Sequence, residues 1–383
     1  MKKILYITRY PLSQVFSLKA KFDGQIKAFE NLGYDVSYFA YDDKYYYLIN
    51  KDNKKVVGNV FATKTGLYHH FFAYVILYKS VIKVLKEGHY GKGDFVYMRS
   101  MPTEWYGQKM NSLLKSKSIT IIKEIPTYIK GGKEKPRFII RIFKTLFKIF
   151  GKDKYTDLYT LIGDPSNGTY NGKPAINIEN GVSVSSVAPR TPVFHDGINM
   201  LAIASVAYWH GYDRVVEGLR AFANRSDLKF YIVGPDGDGS LERIKQKVKE
   251  YGLEHIVHIA GPMYGNELNT MVNNCDLAFA SLAIFRKKIT TASALKNREY
   301  MSRGIPFVYA SSDPVLDEHP SPYTYNISND ETPVDIGSVL EFAHTLPNNE
   351  IIIKEMRDYA SRYMTWEAQF VKMFDFLKIK SVI

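Results

Sequence analysis

From Met200 to Ser311 the sequence repeats one cycle of short apolar runs and longer amphipathic runs. MLAIASVA, KFYIVG, HIVHIAG, LAFASL and PFVYAS read as strands; DRVVEGLRAFANR, SLERIKQKVKEYG, NELNTMVNNC and SALKNREYMSRG between them read as helices. Apolar runs this short are buried strands, and parallel pairing of such strands requires crossover helices between them. The pattern therefore predicts an α/β domain with a parallel sheet covered on both faces. The first half follows the same rule less regularly. KKILYIT is strand-like, KFDGQIKAFENLG is a helix closed by Gly33, and YDVSYFAYD is a second strand. KYYYLINKDNKKVVGNVFAT reads as two short strands around NKDNKK, while FVYMRS and TIIKEIP flank the helical EWYGQKMNSLLKSK. Gly, Asn, Ser and Pro concentrate in GDPSNGTYNGKP and NGVSVSSVAPRTP, which mark loop and linker. The expected architecture is α/β with two Rossmann-like domains, 1–185 and 186–360, followed by a C-terminal helix within 361–383 (TWEAQFVKMFDFLKIK) that packs back toward the first domain.

At 383 residues, with 45% hydrophobic and 23% charged residues, each domain has material for its own core. A single cysteine, Cys275, excludes a disulfide framework and a Cys-based zinc cluster and fits a reducing compartment. The basic start MKKILYITRYPLSQ has too short an apolar stretch for a signal peptide, and FFAYVILY is stopped by Lys79 before membrane-spanning length. A cytoplasmic location is expected. The net charge of +12 speaks to anionic partners rather than to fold.

In open parallel sheets, ligands sit beyond the carboxyl ends of the strands, where helix N-termini offer N–H groups. IVGPDGDGSLE is a Gly-rich strand-to-helix turn, but Glu242 stands where a third glycine would complete the dinucleotide fingerprint. Asp236 and Asp238 lack the glutamate that would close a calcium loop, which leaves a tight turn with acidic helix-start residues. No GxxxxGK[ST], HExxH or GxSxG occurs. The stretch SALKNREYMSRGIPFVYAS is the better candidate. Lys296 and Glu299, three apart on a helix, face the same way. A carboxylate accepts bidentate hydrogen bonds from adjacent hydroxyls such as those of a ribose, and a lysine near a helix start holds a diphosphate with the backbone N–H groups. A surface helix carrying a Lys–Glu pair accounts for the same residues.

Five segments, in order, resemble the nucleotide-sugar-binding domain of the retaining family-4 glycosyltransferases: INIENGVSV, LAIASVAYWHGYDRVVEGLRAF, FYIVGPDGDGSLERIKQKVKEYG, LEHIVHIAGPMYGNELNTMVNNCDLAFASL and SALKNREYMSRGIPFVYAS. In the first half, DGQIKAFENLGYDV and VYMRS with KEIPTY carry a weaker likeness. The resemblance implies the GT-B fold, two facing Rossmann-like domains with a cleft between them, and sugar transfer from a nucleotide-diphosphate donor, UDP-sugar above all, without metal or other cofactor. It implies nucleotide binding by Glu299, Lys296, Arg298, Met263, Tyr264 and Gly234, with the base packed at 263–264. Thr290, Thr291, Ala292, Ser293, His210 and Gly211 would form the donor-sugar and diphosphate loop, with Lys296, Glu299 and Thr291 closest to catalysis. From the first domain, Ser17, Lys19 and Lys21 in the loop QVFSLKAKFDG would approach the donor phosphates, and Arg99, Thr127 and Tyr128 the acceptor. The sequence departs from the family at three places. Thr291 stands eight residues before Glu299 where a paired glutamate is expected. Val206 and His210 fall near the places of the usual diphosphate Arg and Lys, with Lys296, Arg298 or Arg214 as substitutes. KEIPTY replaces the histidine beside the acceptor.

Residues 135–152, KPRFIIRIFKTLFKIFGK, contain no acidic residue, and Arg137, Arg141, Lys144, Lys148 and Lys152 form one helical stripe beside Phe143 and Phe147. Such a helix suits an anionic membrane surface, and a core helix with a solvated basic face is the rival. No nucleic-acid motif accompanies the charge. The expected activity is retaining transfer of a hexose-type sugar to a glycan or lipid-linked acceptor. A nucleotide-sugar epimerase and a non-catalytic sugar-nucleotide or glycan-binding subunit are the alternatives.

Overall fold

Strands alternate with helices throughout the computed structural model, which describes residues 1–12, 16–42, 44–59, 67–99, 105–128, 154–163, 168–346 and 350–379. The basic segment 135–152, with Arg137, Arg141, Phe143, Lys144, Phe147 and Lys148, lies outside the described residues. The chain divides into two units, Met1–Ile178 with Trp366–Ile383, and Glu179–Thr365.

The first unit holds a nine-stranded sheet in the order β4-β3-β2-β1-β5-β6-β7-β9-β8. Its strands are β1 (Lys3–Pro11), β2 (Asp35–Tyr41), β3 (Tyr45–Ile49), β4 (Lys54–Asn59), β5 (Phe95–Arg99), β6 (Thr120–Tyr128), β7 (Leu158–Gly163), β8 (Thr169–Tyr170) and β9 (Lys173–Asn177). The central run β2-β1-β5-β6-β7-β9 is parallel, while β3 and β4 form an antiparallel hairpin at one edge. Helices α1 (Phe16–Asn31), α2 (Leu67–Lys86) and α3 (Trp105–Ser116) follow β1, β4 and β5. Core residues fall on both faces of the sheet, as a parallel arrangement demands.

The second unit is a six-stranded, all-parallel sheet: β10 (Ile198–Ile203), β11 (Leu228–Val233), β12 (Val257–Gly261), β13 (Leu277–Phe279), β14 (Phe307–Tyr309) and β15 (Thr324–Asn326). Their order, β12-β11-β10-β13-β14-β15, is the 3-2-1-4-5-6 order of a doubly wound dinucleotide-type domain. The helices are α4 (Tyr212–Leu219), α5 (Ser240–Glu250), α6 (Gly265–Asn273), α7 (Leu295–Arg303), α8 (Pro314–Glu318), α9 (Ile336–Thr345) and α10 (Glu350–Tyr363). One core packs β10, β11 and β13 against α4, α5 and α9, and the other packs the opposite face against α7 and α10.

The boundaries differ from those the composition suggested. The first crossing falls between Ile178 and Glu179, because β9 adds the segment before it to the first sheet. The second falls between Thr365 and Trp366, so α10 belongs to the second unit and α11 (Trp366–Ile379) to the first. Trp366, Phe370, Met373, Phe374 and Leu377 of α11 are buried in the first unit's core, and Phe370 stacks on Phe29 with ring centroids 3.9 Å apart. Among the described residues, no helix is long and apolar enough to cross a membrane.

Candidate functional site

In the second unit, strand order reverses between β10 and β13, so the loops after these two strands open the crevice where a doubly wound sheet takes its ligand. These loops are residues 204–211 and 280–294. The helix α7 starts at the end of the second.

α7 has no side-chain N-cap and no acidic residue in its first turn, which leaves its N-terminus electropositive. Its end is set by Gly304, at φ 74°, whose N–H and that of Ile305 close on Met301 O and Tyr300 O. Between these ends the helix presents two chemically distinct faces. Asn297, Arg298, Met301 and Ser302 point inward. The fully buried Arg298 donates to both carboxylate oxygens of Asp313, to Oδ1 at 2.9 Å, and to the Asn180 carbonyl at 3.0 Å. Asn297 Nδ2 adds a bond to Asp313 at 2.8 Å, and Asp313 also caps α8 through Val315 N–H. Asn180 ties down the loop before the helix, with its N–H on Ser293 Oγ and its side-chain amide on Ser293 O, both at 2.7 Å. A buried ion pair with every oxygen occupied is a rigid anchor.

The other face carries Lys296 and Glu299. The Lys296 ammonium donates to Tyr212 Oη at 3.1 Å, and no carboxylate pairs with it among the described residues. Burial lowers its pKa to about 7, with Glu299 acting weakly in the opposite direction. Glu299 accepts from Arg303 Nε at 3.0 Å, and its side chain is 38% exposed. Tyr300, between the two faces, accepts Ile203 N–H at 3.1 Å and donates to Phe279 O at 3.3 Å. Those are the last residues of β10 and β13, so one phenol fixes α7 against the switch point.

The loop after β10 closes the opposite side. His210 is buried, accepts the Ala207 N–H on Nδ1 at 3.0 Å and stacks on Tyr212. Gly211 has φ 70°, and a Cβ there would stand 2.8 Å from Ala283 Cβ, so the two loops approach at a position only glycine allows. Tyr208 is clamped by Arg286, whose guanidinium lies 4.0 Å from the ring centroid and pairs with Asp213 at 2.8 Å. Asp238 accepts the Tyr208 N–H and Asp236 the Gly239 N–H, which makes this acidic pair a turn and helix-start device. Among the described residues no group of three or more His, Cys, Asp or Glu is placed to hold a metal ion.

Several expectations are corrected. Arg298 is committed to Asp313 and Asn180, and Arg214 to the carbonyls of Thr332, Leu282 and Ser328, so neither guanidinium serves as a diphosphate cation. Of the loop amides, that of Ala292 donates to Ser312 O instead of facing a ligand. Gly234 donates its N–H to Gly261 O and lies against the Ala204 carbonyl, so its glycine serves strand approach rather than nucleotide contact. Met263 is partly buried and packs against the edge of the core, while Tyr264 is 57% exposed at the start of α6. Thr290 and Thr291 lie in the loop, Thr291 bridging to Ser312.

In the first unit, QVFSLKAKFDG is largely helix rather than loop, since α1 begins at Phe16. Lys21 is buried and donates to Glu124 at 3.0 Å, and Gln25 and Tyr97 complete the same carboxylate's bonds, which removes Lys21 as a phosphate cation. Lys19 is exposed and pairs with Asp23 at 2.7 Å. Arg99 ends β5 and sits over Phe22, while Tyr128 ends β6 edge-on to Tyr170. Ser17 lies on α1 and Thr127 on β6. Sequence reasoning missed Tyr212, Asn180, Asp313 and Glu124. Of these only Asp313 carried a signal, the Asp-Pro pair of a helix start.

Two Rossmann-like sheets with a nucleotide-type switch point in the second define the GT-B class. Solved structures similar along the whole chain are glycosyltransferases of that fold. The catalytic domain of Starch Synthase IV from Arabidopsis thaliana, bound to ADP and acarbose, is 12% identical, with 100% of this chain and 99% of that one covered and a TM-score of 0.65. Anabaena HepE in complex with UDP is 12% identical over 98% and 99%, with a TM-score of 0.59. The lipopolysaccharide outer core galactosyltransferase WaaB is 15% identical over 100% of both chains, with a TM-score of 0.58. Within the second unit, residues 189–318 match the family model of Glycosyl transferases group 1. The fold and this match together support a glycosyltransferase. No curated protein matches the sequence.

Proposed function

We propose that the protein is a retaining, metal-independent glycosyltransferase that moves a hexose-type sugar from a nucleotide-diphosphate donor, UDP-sugar foremost, to a glycan or lipid-linked acceptor in surface polysaccharide synthesis. The observation that carries the reading is the outer face of α7. Among the described residues, an ammonium without a carboxylate partner stands beside an uncapped helix N-terminus, and a partly exposed carboxylate follows one turn later. Lys296 and the helix N-terminus bind the diphosphate and stabilise the charge that builds on it as the glycosidic bond breaks. Glu299 accepts the ribose hydroxyls. The residues 263–264 pack the base through their backbone, and the loop 290–293 borders the donor sugar. The first unit supplies the acceptor side through the strand ends at Arg99, Thr127 and Tyr128. The segment 135–152 docks on the anionic inner face of the cell membrane, where a lipid-linked acceptor resides. HepE bound to UDP and the galactosyltransferase WaaB are consistent with this donor and acceptor chemistry.

Glu299→Ala tests the donor site. It removes a charged acceptor and should weaken UDP binding by about tenfold to a hundredfold, measured calorimetrically. The melting temperature should move little, because the Glu299 carboxylate is open to solvent and its buried partner Arg303 keeps a bond to Asn269 Oδ1 when the pair is lost. Unchanged UDP affinity would refute the ribose role.

A further inference from the structure

Leu201 of β10 and Val233 of β11 face the core under α6 and α7, and strand alternation puts Asn199 and Tyr231 on the same face of the sheet. α6 packs Leu268 and Val272 onto that face and leaves a groove of about 460 Å³ beside it. This is within the ~300–1,000 Å³ of small-molecule sites. Tyr231, Met263 and Met271 form its apolar side, and Asn199, Glu267, Thr270 and Asn274 its polar side. The groove runs along α6 from Met263 to Asn199 and Asn274, near the amino end of β10. The donor crevice opens instead beyond the carboxyl ends of β10 and β13.

Asn199 Nδ2 donates to Asn274 O at 2.7 Å and Asn274 Nδ2 to Thr270 O at 2.8 Å, which leaves Oδ1 as the open atom of each amide. Among the described residues neither Oδ1, nor the Glu267 carboxylate, Tyr231 Oη or Thr270 Oγ1, has a hydrogen-bond partner. No lysine or arginine among them lines the groove, since Lys229, opposite Asn199 in the register, donates to His255 O at 2.7 Å. His258 backs the Tyr231 ring, with centroids 5.2 Å apart and planes at 27°. Three acceptors and two hydroxyls call for a ligand that donates hydrogen bonds around its edge. An aromatic ring with two thioethers calls for an apolar C–H face. Phosphates and carboxylates bring only acceptors and meet no cation here. An ammonium ligand takes a cage of aromatic rings, and one ring is not a cage. A neutral sugar satisfies both demands, with hydroxyls at its rim and C–H groups on its faces. We infer that the groove is a second carbohydrate site, which binds a hexose unit of a neutral glycan and not the nucleotide-linked donor. Its use, to hold a glycan while that glycan is extended, rests on the glycan-acceptor reading above; the binding itself does not.

The full chain labelled with carbon-13 at its methionine methyl groups tests this directly, with Met271 assigned by Met271→Leu. Neutral trisaccharides of glucose, galactose or N-acetylglucosamine, at millimolar concentration, should shift the Met271 methyl. A sulfated disaccharide and choline should not. Tyr231→Ala removes the ring, and Thr270→Arg lays a long side chain across the groove from an exposed helical position, within reach of Glu267 one turn back. Each should weaken trisaccharide binding about tenfold or more while UDP affinity stays at the wild-type value, and Thr270→Arg should also keep the wild-type melting temperature. A Met271 methyl unmoved by every trisaccharide, undiminished binding in Thr270→Arg, or a stronger response to choline or to the sulfated sugar would each overturn the inference. UDP binding with no trisaccharide response removes this site alone; a trisaccharide response without UDP binding supports it and removes the donor-site reading.

Discussion

Arg298 and Glu299 are neighbours in sequence with opposite fates, decided by the hundred degrees of rotation between successive helical residues. Arg298 turns inward to Asp313 and Glu299 turns outward, so the same substitution has different consequences. Arg298→Ala leaves Asp313 buried without its counter-charge, and breaking such a pair costs about 3–5 kcal/mol. Chemical denaturation should show that loss for Arg298→Ala and almost none for Glu299→Ala. Lys296 makes a different prediction. With its pKa at about 7, the free site is about half charged at neutral pH, and a bound diphosphate favours the charged form. Binding above pH 7 therefore takes up a proton, and UDP affinity should fall by up to about tenfold per pH unit between pH 7 and 9. Calorimetry in buffers of different ionisation enthalpy reads the proton directly. Lys296→Met should bind weakly at every pH and take up none.

At the scale of elements, β10 and β11 come together at Gly234, where φ is 132° and a Cβ would stand 1.7 Å from the Ala204 carbonyl oxygen. Gly239 also has positive φ, at 82°, but opens into free space. Gly234→Ala should destabilise by more than about 3 kcal/mol or prevent folding, and Gly239→Ala by about 1 kcal/mol, when both are compared by thermal and urea unfolding. The strands of the second unit were legible because each is a short apolar run framed by amphipathic helices. The start of α1 was not. The pattern starts that helix at Lys21, whereas α1 begins at Phe16 and packs Gly24, inside it, against Trp366 far along the chain, 2.9 Å from where a Cβ would be. The charges misled for the same reason. Lys21 and Arg298 look like phosphate ligands because Glu124 and Asp313, which neutralise them, are distant in sequence. By contrast Lys296 and Glu299 needed only helical spacing, which local sequence supplies. The roles of Tyr212, Tyr300 and Asn180 depend on which loops meet at the switch point, and no local pattern encodes that.

For the molecule as a whole, a net charge of +12 favours anionic partners, and the acid-free segment 135–152 concentrates six of the basic residues that produce it. Each basic residue at an anionic lipid surface contributes about 1 kcal/mol, enough for a reversible peripheral contact but not for permanent anchoring. Such attraction is screened beyond about 10 Å at 0.1 M salt, so the contact should weaken as salt rises. The phenylalanines decide between a membrane contact and ordinary packing. If Phe143 and Phe147 enter the lipid interface, replacing both with serine leaves the melting temperature in place. It also releases the protein from vesicles containing phosphatidylglycerol, measured by co-sedimentation at low salt. If instead they face a core, the double variant melts earlier, by the several kcal/mol that truncating buried aromatic side chains removes, and wild type and variant alike ignore the vesicles. We expect the first outcome, with neutral phosphatidylcholine vesicles retaining neither protein.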